Sequence, residues 1–171
     1  MRQIKINSTD GSEIVLVATA KDYMRVSSTV DDNIITRMIT QARIWCENYI
    51  SRDIVAKTRT YYLPETNGIF DLPFGPVSSI TSVKSDDVAI AYTVLGLDNE
   101  SIELDGGYAD KVKIVYVTSG LSDSLLQQAI MQLTSTYYDN RSDFTTDAKG
   151  DIDVVPTNIK SILNSYKAMY L

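Results

Sequence analysis

The spacing of apolar and polar residues changes several times along the chain, and each change predicts an element. Residues 3–7 (Gln-Ile-Lys-Ile-Asn) alternate, "STDGS" supplies a turn, and "EIVLVA" follows as an apolar run; this predicts a β-hairpin over about residues 2–18. Thr19 stands where it would cap a short helix through "AKDYMRV", with Ala20, Tyr23, Met24 and Val26 inward, and Ser27, Ser28 and Thr29 break it. In "DDNIITRMITQARIWCENYISR" the residues Ile35, Met38, Ile39, Ala42, Trp45, Cys46 and Tyr49 keep a helical spacing. Asp31 and Asp32 open that segment and Arg52 closes it, each at the end the helix dipole favours.

From Ile54 to Val117 the period shortens to two. "DIVAKTRTYYL", "GIFDL", "SSITSVKS", "VAIAYTVLG", "SIELDGG" and "KVKIVYVTSG" read as short strands separated by turns at Asn67-Gly68, Asp86-Asp87, Asp98-Asn99 and Asp105-Gly106-Gly107. Such spacing predicts an antiparallel sheet or small sandwich. The helical period then returns. Ser122 or Asp123 caps "SLLQQAIMQLTSTYYDNR", with Leu126, Ala129, Ile130, Leu133 and Tyr137 on one face. Residues 142–156 ("SDFTTDAKGDIDVVP") are polar and acidic, a loop or extended arm, and loops of that length tend to be functional or disordered. Thr157 is placed to cap a last helix with Ile159, Ile162, Leu163, Tyr166 and Met169 inward or across an interface.

Helices at both ends with the strands between them predict an α+β fold. One domain of 171 residues is expected: a helical body over about 19–53 and 121–171, and an inserted antiparallel β-domain over about 54–120. In "DLPFGPVSSITSV" (71–83), Pro73 and Pro76 restrict the backbone and withhold ladder donors, which suits the start of a strand or a sheet edge. With Trp45 and Cys46 these prolines are taken as markers of the core scaffold.

Composition narrows the chemistry. There is no histidine, which removes the commonest general base, the commonest metal ligand and the usual partner of a Ser or Cys nucleophile. The single cysteine, Cys46, excludes an internal disulfide and reads as a buried inert thiol. The net charge of −6, with no Lys/Arg run interleaved with aromatics, argues against a protein that grips nucleic acid by counterion release. No apolar run is long enough for a membrane helix, and "MRQIKINSTDG" lacks the apolar core of a secretory signal, so synthesis in the cytoplasm is expected.

Each candidate motif has a plainer reading. Asp86-Asp87 lie where a hairpin turn favours Asp. "DAKGDID" lacks calcium-loop spacing and the closing Glu. "VTSGLS" is no nucleophile elbow, and "DGGYADK" matches no phosphate-binding loop. No catalytic residue, metal site or cofactor is assigned. Tyrosines are numerous, and Tyr61, Tyr62, Tyr137, Tyr138, Tyr166 and Tyr170 are candidates for core packing or a subunit interface.

The order of the segments resembles that of the head-to-tail connector (adaptor, head-completion) proteins of tailed bacteriophages. "AKDYMRV" before "DDNIITRMITQARIWCENYISRDIV" looks like that family's short helix, acidic break and long helix, although Ser51 stands where the family has glycine. "DLPFGPVSSITSV", "VKIVYVTSGL" and "LLQQAIMQLTSTYYDNR" look like its later segments, and the last helix matches by position. The resemblance implies a virion protein without catalysis. It would form a homo-oligomeric, dodecameric ring under the portal protein at the neck, pass DNA without sequence-specific binding, and meet a stopper, head-completion or tail protein. The portal or subunit interface expected on that basis comprises Phe144, Asp147, Lys149, Asp151, Asp153, Val155, Ile159, Tyr166, Met169, Tyr170 and Leu171. Two other readings stay open: another ring-forming neck or tail-completion protein, and a carbohydrate- or peptide-binding module built on tyrosines of the β-domain.

Overall fold

A computed structural model describes residues 1–140 and 157–168. They form two compact units, one β and one helical, each assembled from two stretches of chain. The fold is α+β, with antiparallel sheets and four helices among the described residues.

The β unit holds residues 1–12 and 51–121. Its larger sheet has the order β1 (Gln3–Thr9), β2 (Lys57–Thr66), β8 (Ala109–Thr118), β4 (Val77–Ser85), β5 (Val88–Ala89). The smaller sheet has the order β3 (Ile69–Asp71), β7 (Ser101–Leu104), β6 (Tyr92–Leu95). Alternate residues of β2 (Tyr61, Leu63) and β8 (Val112, Ile114, Tyr116) pack with Leu72, Val77, Val83, Ile102 and Leu104 into one buried cluster. That burial supplies the main stabilisation, at about 25 cal/mol for each Å² of apolar surface removed from water. A two-residue turn (Asn67-Gly68) sends β2 into β3, and two residues (Ile90, Ala91) send β5 into β6. The smaller sheet therefore runs from the β2 side of the larger sheet to its β5 side.

One expectation fails here. No hairpin forms over residues 2–18: β1 pairs antiparallel with β2, Gln3 opposite Tyr62, and "EIVLVA" leads into a helix. Pairing with β2 places Ile4 and Ile6 on the face of Tyr61 and Arg59, and in the apolar run Val15 is buried while Val17 and Ala18 form the start of the helix.

Of the described residues, the helical unit holds 13–50, 122–140 and 157–168. Helix α1 (Val17–Met24) starts two residues before the expected Thr19 cap; Leu16 occupies the cap position without a side-chain hydrogen bond. Arg25 ends it in the left-handed region, with the Val26 N–H closing onto the Lys21 carbonyl at 2.9 Å. Helix α2 (Asp32–Ile50) buries Ile35, Ile39, Ala42, Cys46 and Ile50 along one stripe. Ser51 follows at φ 55, a conformation glycine adopts without a Cβ penalty. Helix α3 (Ser124–Asp139) is capped by Asp123, which accepts from the Leu125 N–H at 2.8 Å, and buries Leu126, Ala129, Ile130, Leu133 and Thr134. Helix α4 (Thr157–Asn164) buries Ile159 and Leu163. No helix among the described residues is long and apolar enough to cross a membrane.

Candidate functional site

The most densely built polar site among the described residues lies in the β unit, and the alternation of β2 creates it. Lys57 and Arg59 share a face with Tyr61 and Leu63, so two cations are carried into the interior. Asp53, fully buried, receives them. Its carboxylate accepts from Lys57 Nζ at 2.9 Å, from Arg59 Nε at 2.8 Å and Nη2 at 2.6 Å, and from Thr118 Oγ1 at 2.8 Å. Burial would raise the carboxyl's pKa, but the Arg59 and Lys57 hydrogen bonds and charges hold it below its ordinary value. The Arg59 guanidinium also lies over the Phe74 ring, 3.9 Å from its centroid.

Phe74 belongs to the proline-rich loop 72–76, which the Tyr116 hydroxyl ties down by donating to the Pro73 carbonyl at 2.6 Å. That loop therefore clamps a buried ion cluster and sets the start of β4. It is no open cradle. The cluster is closed to substrate, so its chemistry is structural. The signal for it stood in the sequence as cations on the apolar phase of a strand, "KTRTYYL".

No group of His, Cys, Asp and Glu that could hold a metal occurs among the described residues. Cys46 is fully buried, and burial pushes its thiol up to about 12, which leaves it protonated and unreactive. An open depression of about 490 Å³ in the β unit is lined by Ser85, Ile90, Leu104, Gly107, Tyr108 and Asp110 among others. Its single aromatic, Tyr108, is exposed, with its hydroxyl donating to Asp110 at 2.5 Å.

Charge is distributed unevenly over this unit. Residues 85–110 carry Asp86, Asp87, Asp98, Glu100, Glu103, Asp105 and Asp110 and no Lys or Arg. Lys111 and Lys113 answer Asp86 and Asp87 at 3.0 and 2.9 Å, and Arg52 lies 3.7 Å from Glu100. Residues 1–9 carry Arg2 and Lys5 and no carboxylate side chain.

Of the residues expected at an interface, Ile159 is fully buried, its side chain spent within the helical unit. Tyr166 is half-buried; its hydroxyl donates to Asp123 Oδ1 at 2.6 Å, which pushes the phenol up to about 12. Phe144, Asp147, Lys149, Asp151, Asp153, Val155, Met169, Tyr170 and Leu171 lie outside the described residues. Among the markers, Cys46 is core. Trp45 is only half-buried and stacks on Tyr49 at 5.2 Å, and Pro73 and Pro76 are likewise half-buried, at the margin of the core. The tyrosines divide: Tyr61 is buried, Tyr62 and Tyr137 are half-buried, and Tyr138 donates to Asp31 at 2.7 Å.

No protein-family model and no curated protein matches the chain. Solved structures do. The fold is that of chains from a particle neck. One match is the "neck of empty GTA particle computed with C6 symmetry", with a TM-score of 0.74 and 17% identity over 99% of this chain and 97% of that one. Another is the neck of the native GTA particle computed with C12 symmetry, with a TM-score of 0.73 and 16% identity over the same shares. A third is a chain of the virion of the native gene transfer agent particle, with a TM-score of 0.72, 16% identity and the same coverage. At these identities the likeness is one of fold, and it extends over both units.

Proposed function

We propose that this chain is a structural, non-catalytic neck protein of a virion, which assembles as a ring on the portal vertex, extends the DNA channel and joins head to tail. The observation that carries the reading is the likeness, over 99% of the chain, to chains resolved in GTA particle necks. The segment order described above supports the same class. Six- and twelve-fold reconstructions of those necks accord with a dodecameric ring. The acidic balance suits a conduit: like charge lets DNA slide, whereas a basic wall would hold it in a salt-dependent way. Segment 142–156, with the end of the chain, is the part assigned to portal or neighbouring-subunit contact. Deleting 143–155 should abolish attachment to portal, and normal attachment of the deletion would remove that assignment.

Solution mass in the presence and absence of portal tests the main reading. A large ring, or a monomer that enters a ring only on portal, is expected. A monomer that ignores portal and binds a glycan or peptide array would favour the binding-module reading, for which the Tyr108 depression is the available site.

A further inference from the structure

Among the described residues, four strands end the two sheets of the β unit, β1 and the two-residue β5 in the larger and β6 and the three-residue β3 in the smaller; the two longest of these edges, β1 and β6, lie on opposite sides of one sandwich. At one side β1 ends the larger sheet with all seven residues exposed, so its outer row of backbone N–H and C=O groups meets solvent. Ile4 and Ile6 face inward with Tyr61 and Arg59, yet remain 38% and 47% exposed, because the smaller sheet runs from the β2 side toward β5. At the other side β6 ends the smaller sheet, with Val94 on the inward phase opposite Ile102 and still 39% exposed. Charge differs between the two sides. Lys5 stands on β1, whereas β6 lies in the span without a Lys or Arg and pairs with β7 so that Thr93 is opposite Glu103.

An exposed edge with a flanking apolar row is a template for another strand. Pairing of β1 with β1 of a second copy would bring like charges together at Lys5, which is unfavourable. Pairing of β1 with β6 brings a cation to an acidic edge and lays Ile4 and Ile6 beside Val94. Because the two edges lie on opposite sides of one body, that contact is head-to-tail, the kind that generates rings when the rotation closes. We propose that copies of this chain join through it, the β1 edge of one pairing with the β6 edge of the next. The proposal rests on the ring reading and names the contact within it.

Cysteine trapping tests it on the full chain, where buried Cys46 stays silent. Gln3→Cys, Lys5→Cys or Asn7→Cys is combined in turn with Thr93→Cys, covering three registers, and oxidised at high protein concentration. At least one pair should yield a ladder of cross-linked multimers, while Ser78→Cys with Thr93→Cys yields none. Lys5→Glu and Glu103→Lys chains should each lose self-association, and mixing the two should restore it between unlike chains. An unchanged melting temperature in each variant establishes that the fold is intact. Dimers from the Lys5→Cys single variant, or no ladder in any register, overturn the proposal. A neck reconstruction that shows the ring with other contacts would overturn it too, while leaving the ring reading standing.

Discussion

The two units hide charge in opposite ways. In the β unit one carboxylate, Asp53, holds two cations, Lys57 and Arg59. In the helical unit one guanidinium, Arg43, holds two carboxylates, donating to Glu13 Oε2 at 2.8 Å and to Glu47 Oε2 at 2.7 Å. Burial would weaken the hold of Arg43 on its proton, and the two glutamates reverse that. The clusters also differ in access to water. Asp53, Lys57 and Arg59 are all nearly sealed, whereas Glu13 keeps 29% of its side chain exposed. Removing a hub should therefore cost more in the β unit, where the remaining like charges cannot turn outward, than in the helical unit, where one of them can.

The largest expected effect follows directly. Asp53→Ala leaves an ammonium and a guanidinium facing each other behind the Phe74 loop and should destabilise the β unit by about 3–5 kcal/mol, read by denaturant unfolding. The pH dependence tests the same hub. The Asp53 carboxyl is held below its ordinary 3.8, so its stabilisation is present above that pH and is lost as the pH falls through the lower folded value. The acid limb of a melting-temperature profile should be shallower for Asp53→Asn than for the unaltered chain. Next in size, Arg43→Met should cost about 2–3 kcal/mol, since Glu47 stays inside while Glu13 relaxes into water. If Arg43→Met proved the costlier, the contrast between sealed and vented clusters would fail.

Smaller effects separate hubs from ordinary features. Ser51→Gly should stabilise the chain by about 0.5–1 kcal/mol, because it relieves a left-handed residue at the end of α2. Lys113→Ala, which removes an exposed pair with Asp87, should leave the melting temperature unchanged within error.

What could be read from the sequence follows from how local the cause was. The α2 stripe through Ile35, Ile39, Ala42 and Cys46, a cap at Ser122 or Asp123 ahead of α3, and the alternating phases of β2 and β8 are each set by residues near one another, and each stood in the pattern. The pairing of β1 with β2, some fifty residues away, depends on which distant edge is free, and no short window holds that. "EIVLVA" shows the same limit: its apolar run suits a strand or the approach to a helix, and only packing decides. Lys57 and Arg59 were visible as cations on an apolar phase, but their meaning needed Asp53, which precedes the strand, and Thr118 from another strand. The candidate assembly contact was the least legible. It arises from two edges and a charge asymmetry that become neighbours only between copies.

A reconstruction of the neck of a tailed particle assembled with this chain tests the central claim most directly. The account predicts density for the chain as a closed ring against the portal, coaxial with the DNA channel. A particle whose neck is complete without it, or density for it elsewhere on the virion, would contradict the account.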